Sequence, residues 1–262
     1  MALVLEMTYK YYHDLMDHYS DPRTKDYFLA QNPFIPLALI VLYLQFVRNW
    51  GPRLMKDRPA FNLDKVLIVY NAAQIFLSAR LFYLASKYAY VFGNYSYICE
   101  PVDYSDNPVA LIAAKEVHNY YLLKLLDLMD TVFFVLRKKQ RQVSFLHIYH
   151  HIGMVIAVWV GVRFLPGGQV LFIGFANTFV HIVMYSYYLA AVFDDSSRIW
   201  WKKYITLLQL FQFGIITIQW ALMVLAPPCG FPKVLALIFL PQNLFMTAMF
   251  LDFYYKAYVK TK

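Results

Sequence analysis

Seven apolar stretches joined by short polar connections decide most of what this chain can become. They run approximately from Pro33 to Val47, Val66 to Tyr90, Ala110 to Leu136, Val143 to Val162, Gln169 to Phe193, Tyr204 to Ala226, and Phe231 to Val259. Crossing the ~30 Å hydrocarbon core of a bilayer takes about 20 helical residues. Inside hydrocarbon the backbone must satisfy its own hydrogen bonds, which a helix does within a single segment. The expected fold class is therefore all-α: a polytopic membrane protein with about seven transmembrane helices. The first stretch is short and Pro241 interrupts the seventh, so six spans is the alternative count. Residues 1–32 are expected to form an N-terminal segment, 33–259 the membrane domain and 260–262 a tail. No signal-peptide pattern precedes the first stretch, so insertion is expected to rely on that span.

Charge supports the membrane reading. Only 15% of the 262 residues are charged, against about 25% in a soluble domain, too few to cover a water-facing surface. The formal charge of +8 does not point to nucleic acid, because the basic residues lie between apolar blocks. One side of the expected bundle carries Arg48, Arg53, Lys56, Arg58, Lys65, Arg137, Lys138, Lys139, Arg141, Arg198, Lys202, Lys203, Lys256, Lys260 and Lys262. The other carries only Lys10, Arg23, Lys25, Lys87, Lys115, Arg163 and Lys233. The positive-inside rule makes the rich side cytosolic, with the N-terminus in a lumen and the C-terminus in the cytosol. Asn94-Tyr95-Ser96 is the only glycosylation sequon and falls in an expected luminal loop, so Asn94 is a candidate glycan site. The two cysteines, Cys99 and Cys229, also fall in luminal loops. An oxidising compartment favours a disulfide between them; two free thiols are the alternative.

Ionisable residues inside spans are functional candidates, because burying them without partners is costly. His147, His150 and His151 stand at i, i+3 and i+4, so one helix face presents three imidazoles. The fifth stretch carries Asn177, His181, Tyr185 and Tyr188 along one stripe. The third holds Lys124, Asp127, Asp130 and Thr131, and the sixth Thr206, Gln209 and Gln212. These stripes are expected to converge on one polar cavity near the cytosolic side. Each member except the histidine face has a structural alternative. Lys124 and Asp127 could be an ion pair joining helices, Gln209 and Gln212 interhelical hydrogen-bonding groups, Tyr185 and Tyr188 packing residues, and His181 a satisfied core histidine. Three adjacent imidazoles have no comparable structural use.

Three chemistries could employ that face. Metal binding suits imidazole, but His13 and His18 lie in the N-terminal segment and His118 near the luminal end. The four remaining histidines are too few for a di-iron site; a single-metal site in a lipid-modifying membrane enzyme that uses the His147-x-x-His150-His151 box is the alternative, although no intramembrane Glu joins the stripes. A seven-span receptor would share the topology, yet the third stretch ends in Val135-Leu136-Arg137-Lys138 and the last lacks an Asn-Pro-x-x-Tyr pattern. The third chemistry is nucleophilic and acid–base catalysis by a neutral, desolvated imidazole.

Ordered motifs along nearly the whole chain sharpen the choice. They are Lys124-x-x-Asp127-x-x-Asp130-Thr131 running on to Arg137-Lys138-Lys139, and Phe145-Leu146-His147-x-x-His150-His151. Downstream stand Asn177-x-x-x-His181-x-x-Met184-Tyr185-Ser186-Tyr187-Tyr188 and Trp201-Lys202-Lys203-x-x-Thr206-x-x-Gln209-x-x-Gln212-Phe213. In these the sequence resembles the very-long-chain fatty-acid elongases, the membrane 3-ketoacyl-CoA synthases. The resemblance implies seven helices, six of them around an acyl-chain tunnel, in the endoplasmic reticulum membrane. It implies condensation of a long-chain acyl-CoA with malonyl-CoA to 3-ketoacyl-CoA, CO2 and CoA, with no metal or other cofactor. Other elongation-cycle enzymes and a second copy of the chain are the implied partners. His150 is the expected nucleophile, with His181, His147 and His151 assisting. Lys124, Asp127, Asp130, Asn177, Tyr185, Tyr188, Gln209 and Gln212 would shape the site. Arg137, Lys138, Lys139, Lys202 and Lys203 would meet the phosphates of CoA.

Overall fold

A computed structural model describes residues 2–194 and 200–260. The expected basic residues Arg198 and Lys262 lie outside the described residues. The described chain is helical throughout, with no strand among those residues. Helix α1 (Ala2–Asp14) occupies the N-terminal segment that the sequence left without structure. It is followed by α2 (Phe34–Met55), α3 (Asp64–Tyr90), α4 (Pro108–Leu136), α5 (Phe145–Phe164), α6 (Leu171–Phe193), α7 (Lys202–Leu225) and α8 (Lys233–Val259).

Among the described residues six helices are long and apolar enough to cross a membrane: α2, α3, α5, α6, α7 and α8. The exception is α4, the third expected span. At 29 residues it is the longest helix, roughly 43 Å at 1.5 Å per residue. It carries Lys115, Glu116, Lys124, Asp127 and Asp130, and its charge has a structural reason. Lys124, Asp127 and Asp130 are buried against other helices rather than turned to lipid.

Two expected boundaries are corrected. The first span does not stop at Val47 but continues to Met55 through a wider turn at Phe46–Trp50. Arg48 and Arg53 therefore stand on a helix rather than in a loop. Gly51 permits this extension, because a Cβ there would come within 2.6 Å of Val135 Cγ1 on α4. Pro241 lies inside α8 without ending it.

Side-by-side packing closes six helices into a ring. α3 packs on α4, α4 on α5, α5 on α8, α8 on α7, α7 on α6, and α6 back on α3. Helix α2 lies outside the ring against α4 and α5. Large apolar side chains face outward, as a lipid environment requires: Phe76 is 69% and Leu237 75% exposed.

The connections gather at two ends. At one, Cys99 and Cys229 form a disulfide that links the α3–α4 and α7–α8 loops, with Cα atoms 6.1 Å apart. The Gln169 side chain, fully buried, accepts from Glu100 N at 3.0 Å and donates to Ile98 O at 3.1 Å. Gly168, at φ +61°, makes that approach possible; a Cβ there would meet Pro101 backbone at 2.8 Å. Arg23 pairs with Asp21 at 2.7 Å and donates to Asp103 O and Ser105 O. The Asp21 carboxylate holds that guanidinium further in its charged form. Asn94 is exposed in the same region, and Ser96 Oγ accepts from the amides of Ile98 and Cys99. At the opposite end Phe61 N donates to Leu136 O at 3.1 Å, and Arg137 lies 3.9 Å from Asp64.

The disulfide closes a sequence separation of 130 residues, so it restricts the unfolded chain over half its length. Cys99→Ser is expected to destabilise the protein by about 2 kcal/mol or more, read as a lower thermal unfolding midpoint in detergent. An unchanged midpoint would mean that the loop–loop hydrogen bonds suffice.

Candidate active site

Local capping sets the register of the histidine face. Ser144 Oγ accepts from His147 N at 3.2 Å and begins α5 at Phe145. His147, His150 and His151 thus occupy its first two turns. His147 Nε2 lies 2.9 Å from Thr131 Oγ1 on α4, which lies 2.7 Å from Tyr43 OH on α2. The His147 ring is 4.2 Å, centroid to centroid, from that of His151, which is 5.7 Å from that of His150. His151 is buried and His150 half-buried; neither ring makes a hydrogen bond among the described residues.

The second part of the site is built on α3, α4 and α6. Lys124 Nζ donates to Asp127 Oδ2 at 2.9 Å, with both side chains at most 3% exposed. The same ammonium stands 4.7 Å from the Tyr120 ring centroid, a favourable arrangement for a desolvated cation. Tyr120 OH donates to Asn177 Oδ1 at 2.8 Å, leaving the Asn177 amide group free to donate elsewhere. Asp127 Oδ1 accepts from Gln74 Nε2 at 2.9 Å and lies 3.2 Å from Tyr185 OH. Tyr185 OH is closer to Asp130 Oδ2, at 2.7 Å. His181 Nδ1 faces Asp127 Oδ2 at 3.8 Å, buried and without a hydrogen bond.

Lys124, Asp127, Asp130, Asn177, His181 and Tyr185 therefore meet in one buried cluster beside the α5 histidines. Tyr188 packs edge-on against Tyr185. The remaining expected residues sit elsewhere. Gln209 contacts Met184 Sδ at 3.8 Å rather than a polar group of the cluster. Gln212 borders an apolar cavity of about 280 Å³ between α3, α6 and α7, lined by Phe82, Phe175, Phe179 and Phe211 among others. None of the four site histidines lines that cavity. Lys202 and Lys203 are exposed at the start of α7. Arg137, Lys138 and Lys139 form the end of α4, where Lys138 takes φ +54° and Lys139 N bonds back to Phe134 O at 2.8 Å. That geometry is a Schellman termination with lysine at the left-handed position. Among the described residues no group of three His, Cys, Asp or Glu side chains could hold a metal ion.

Sequence reasoning missed the contribution of α3. Tyr70, Gln74 and Ser78 follow one another at intervals of four and are buried, the same stripe signal that marked α6. Tyr43 and Tyr120 were missed as well; among 23 tyrosines nothing in the sequence distinguishes them.

A ring of apolar helices with paired carboxylates, a lysine and imidazoles gathered inside it defines a polytopic membrane protein with a buried cluster of ionisable side chains. Residues 28–262 match the ELO: GNS1/SUR4 family, and the chain belongs to that family. The chain is 43% identical over 258 residues to very long chain fatty acid elongase 7 of Drosophila melanogaster, covering 98% of this chain and 78% of that protein. Human very long chain fatty acid elongase 4 is 38% identical over 246 residues, 93% of this chain and 77% of the relative. Human very long chain fatty acid elongase 1 is 34% identical over 262 residues, covering 98% and 93%.

Proposed function

We propose that this chain is the condensing enzyme of fatty-acid elongation, a very-long-chain 3-oxoacyl-CoA synthase. The observation that carries the reading is the buried Lys124–Asp127 pair with His181 facing it, joined to the three-histidine face of α5 through Thr131 and His147. In the proposed first half-reaction an imidazole nitrogen of His150 attacks the acyl-CoA thioester carbonyl. The C–S bond breaks and CoA leaves as the thiol, taking the imidazole proton. Malonyl-CoA then loses CO2, and its enolate carbon attacks the acyl-imidazole carbonyl. A C–C bond forms, the C–N bond breaks, and the departing imidazole takes up one proton from solvent, relayed by His181, so that neutral His150 is regenerated with 3-ketoacyl-CoA as product.

The neighbouring groups have matching roles. His181, facing Asp127 Oδ2, would hold or move the proton. The uncommitted Asn177 amide group would donate to the enolate oxygen; Gln209, turned to Met184, is less well placed for it. In this reading the acyl tail would run between the helices of the ring formed by α3 to α8. The basic residues Arg137, Lys138, Lys139, Lys202 and Lys203 would draw CoA phosphates to the cytosolic end. In this reading α4 is a seventh crossing, the disulfide end faces the lumen of the endoplasmic reticulum, and other elongation-cycle enzymes or a second copy bind the chain.

Purified protein supplied with radiolabelled malonyl-CoA and acyl-CoAs of graded length is expected to form labelled 3-ketoacyl-CoA. It should do so equally after treatment with chelators. Loss of activity on chelation, restored by one metal, would favour a metal-dependent lipid-modifying enzyme instead. No label in product at any chain length would defeat the reading.

A further inference from the structure

We propose that Gln74 of α3 is a positioning residue that fixes the rotation of the Asp127 carboxylate and, through it, the orientation of His181. The inference rests on the condensation reading and adds to it a residue outside the four motifs that suggested it.

Asp127 has two oxygens with different company. Oδ2 accepts from Lys124 at 2.9 Å and turns its remaining lone pair toward His181 Nδ1, 3.8 Å away. Oδ1 accepts from Gln74 at 2.9 Å. Its second neighbour, Tyr185 OH, has one proton and is closer to Asp130, at 2.7 Å against 3.2 Å. Gln74 is therefore the principal donor on the oxygen that does not face the histidine. Without it, Oδ1 keeps only the longer contact to Tyr185, and the carboxylate is less restrained about its Cβ–Cγ bond while Lys124 alone holds Oδ2, so the aim toward His181 is loosened.

The glutamine is itself held. It is fully buried, and Nε2 also donates to Tyr70 OH at 3.0 Å, which donates to Leu126 O at 3.3 Å. The amide cannot be reversed, because its oxygen would then confront the carboxylate. Its Oε1 consequently stands buried with no partner. An unpartnered acceptor beside a carboxylate is costly, which a merely structural glutamine would avoid by making both of its bonds. Held in this rotation, Asp127 Oδ2 can accept from His181 Nδ1 when substrate arrives and the 3.8 Å separation closes, as catalytic contacts do.

The test uses the purified full chain, with wild type and His150→Ala measured alongside. Gln74→Leu is expected to lower kcat about tenfold or more, the rate equivalent of one lost hydrogen bond to a charged group. The KM for malonyl-CoA should hardly change. Gln74→Glu supplies the decisive readout. Protonated, the new carboxyl can donate to Asp127 Oδ1; ionised, it repels it. Activity should therefore be near that of wild type at the acid end and fall as pH rises, well before the wild-type profile does. A Gln74→Leu enzyme with wild-type kcat, or a folded Gln74→Glu enzyme with a wild-type pH profile, would overturn the inference. If Gln74→Leu fails to fold, the Gln74→Glu profile decides alone. Wild type that does not condense the substrates defeats the condensation reading itself, a result distinct from an active wild type with indifferent Gln74 variants.

Discussion

His150→Ala is expected to lose condensation by ~10³-fold or more, the scale seen when a nucleophile is removed from a unit that acts together. The argument begins with access. His147 is tied to Thr131 and, through it, to Tyr43; His151 is the more deeply buried of the other two. His150 makes no hydrogen bond among the described residues, is half-buried, and stands on the same helix face as the other two. Alanine there leaves the fold with one fewer ring contact, to His151, so expression and unfolding temperature should barely change. Acyl-CoA alone should release CoA from wild type in a single burst and leave a mass increase on the His150 peptide. Loss of both the burst and turnover in the variant fits covalent catalysis. Lost turnover without any adduct in wild type would leave His150 as a base in direct condensation. Full activity in the variant would rule out both routes.

Much of the site was legible because intramembrane charge is costly enough to mark itself. Lys124, Asp127, Asp130 and His181 stood out in apolar surroundings, and all four lie in the buried cluster. The α3 stripe did not stand out. Tyr70, Gln74 and Ser78 are neutral, and neutral polar residues are common in membrane helices, where they bond to whatever neighbour they find. Which helices are neighbours is also a tertiary fact. Gln209 and Gln212 share a stripe with Thr206, yet one meets a methionine and the other an apolar cavity. The end of the first span was misplaced for a related reason. Arg48 and Arg53 read as loop residues, whereas both are exposed residues of a helix that runs on to Met55, which long basic side chains at a span's end allow.

The one long helix not apolar enough to count as a membrane span, α4, contributes Lys124, Asp127 and Asp130 to the buried cluster. Its Lys124–Asp127 pair makes the second large prediction. Both side chains are at most 3% exposed, so removing one partner strands a charge in a dry interior. Asp127→Leu is expected to cost about 3 kcal/mol, because the Lys124 ammonium keeps only the Tyr120 ring and loses its carboxylate. Gln74 and Tyr185 lose an acceptor at the same time. Lys124→Met is the less damaging single change, since Asp127 still accepts from Gln74. The double variant Lys124→Met/Asp127→Leu removes both charges and should recover most of the lost unfolding temperature, as replaced buried ion pairs often do. Its condensation activity should stay as low as that of Asp127→Leu, because His181 then faces no carboxylate. Recovery of stability without recovery of activity separates the pair's two roles, cross-bracing of the site and orientation of the imidazole. If activity returned together with stability, the pair would be a structural brace only, and His181 would have to be oriented by another group.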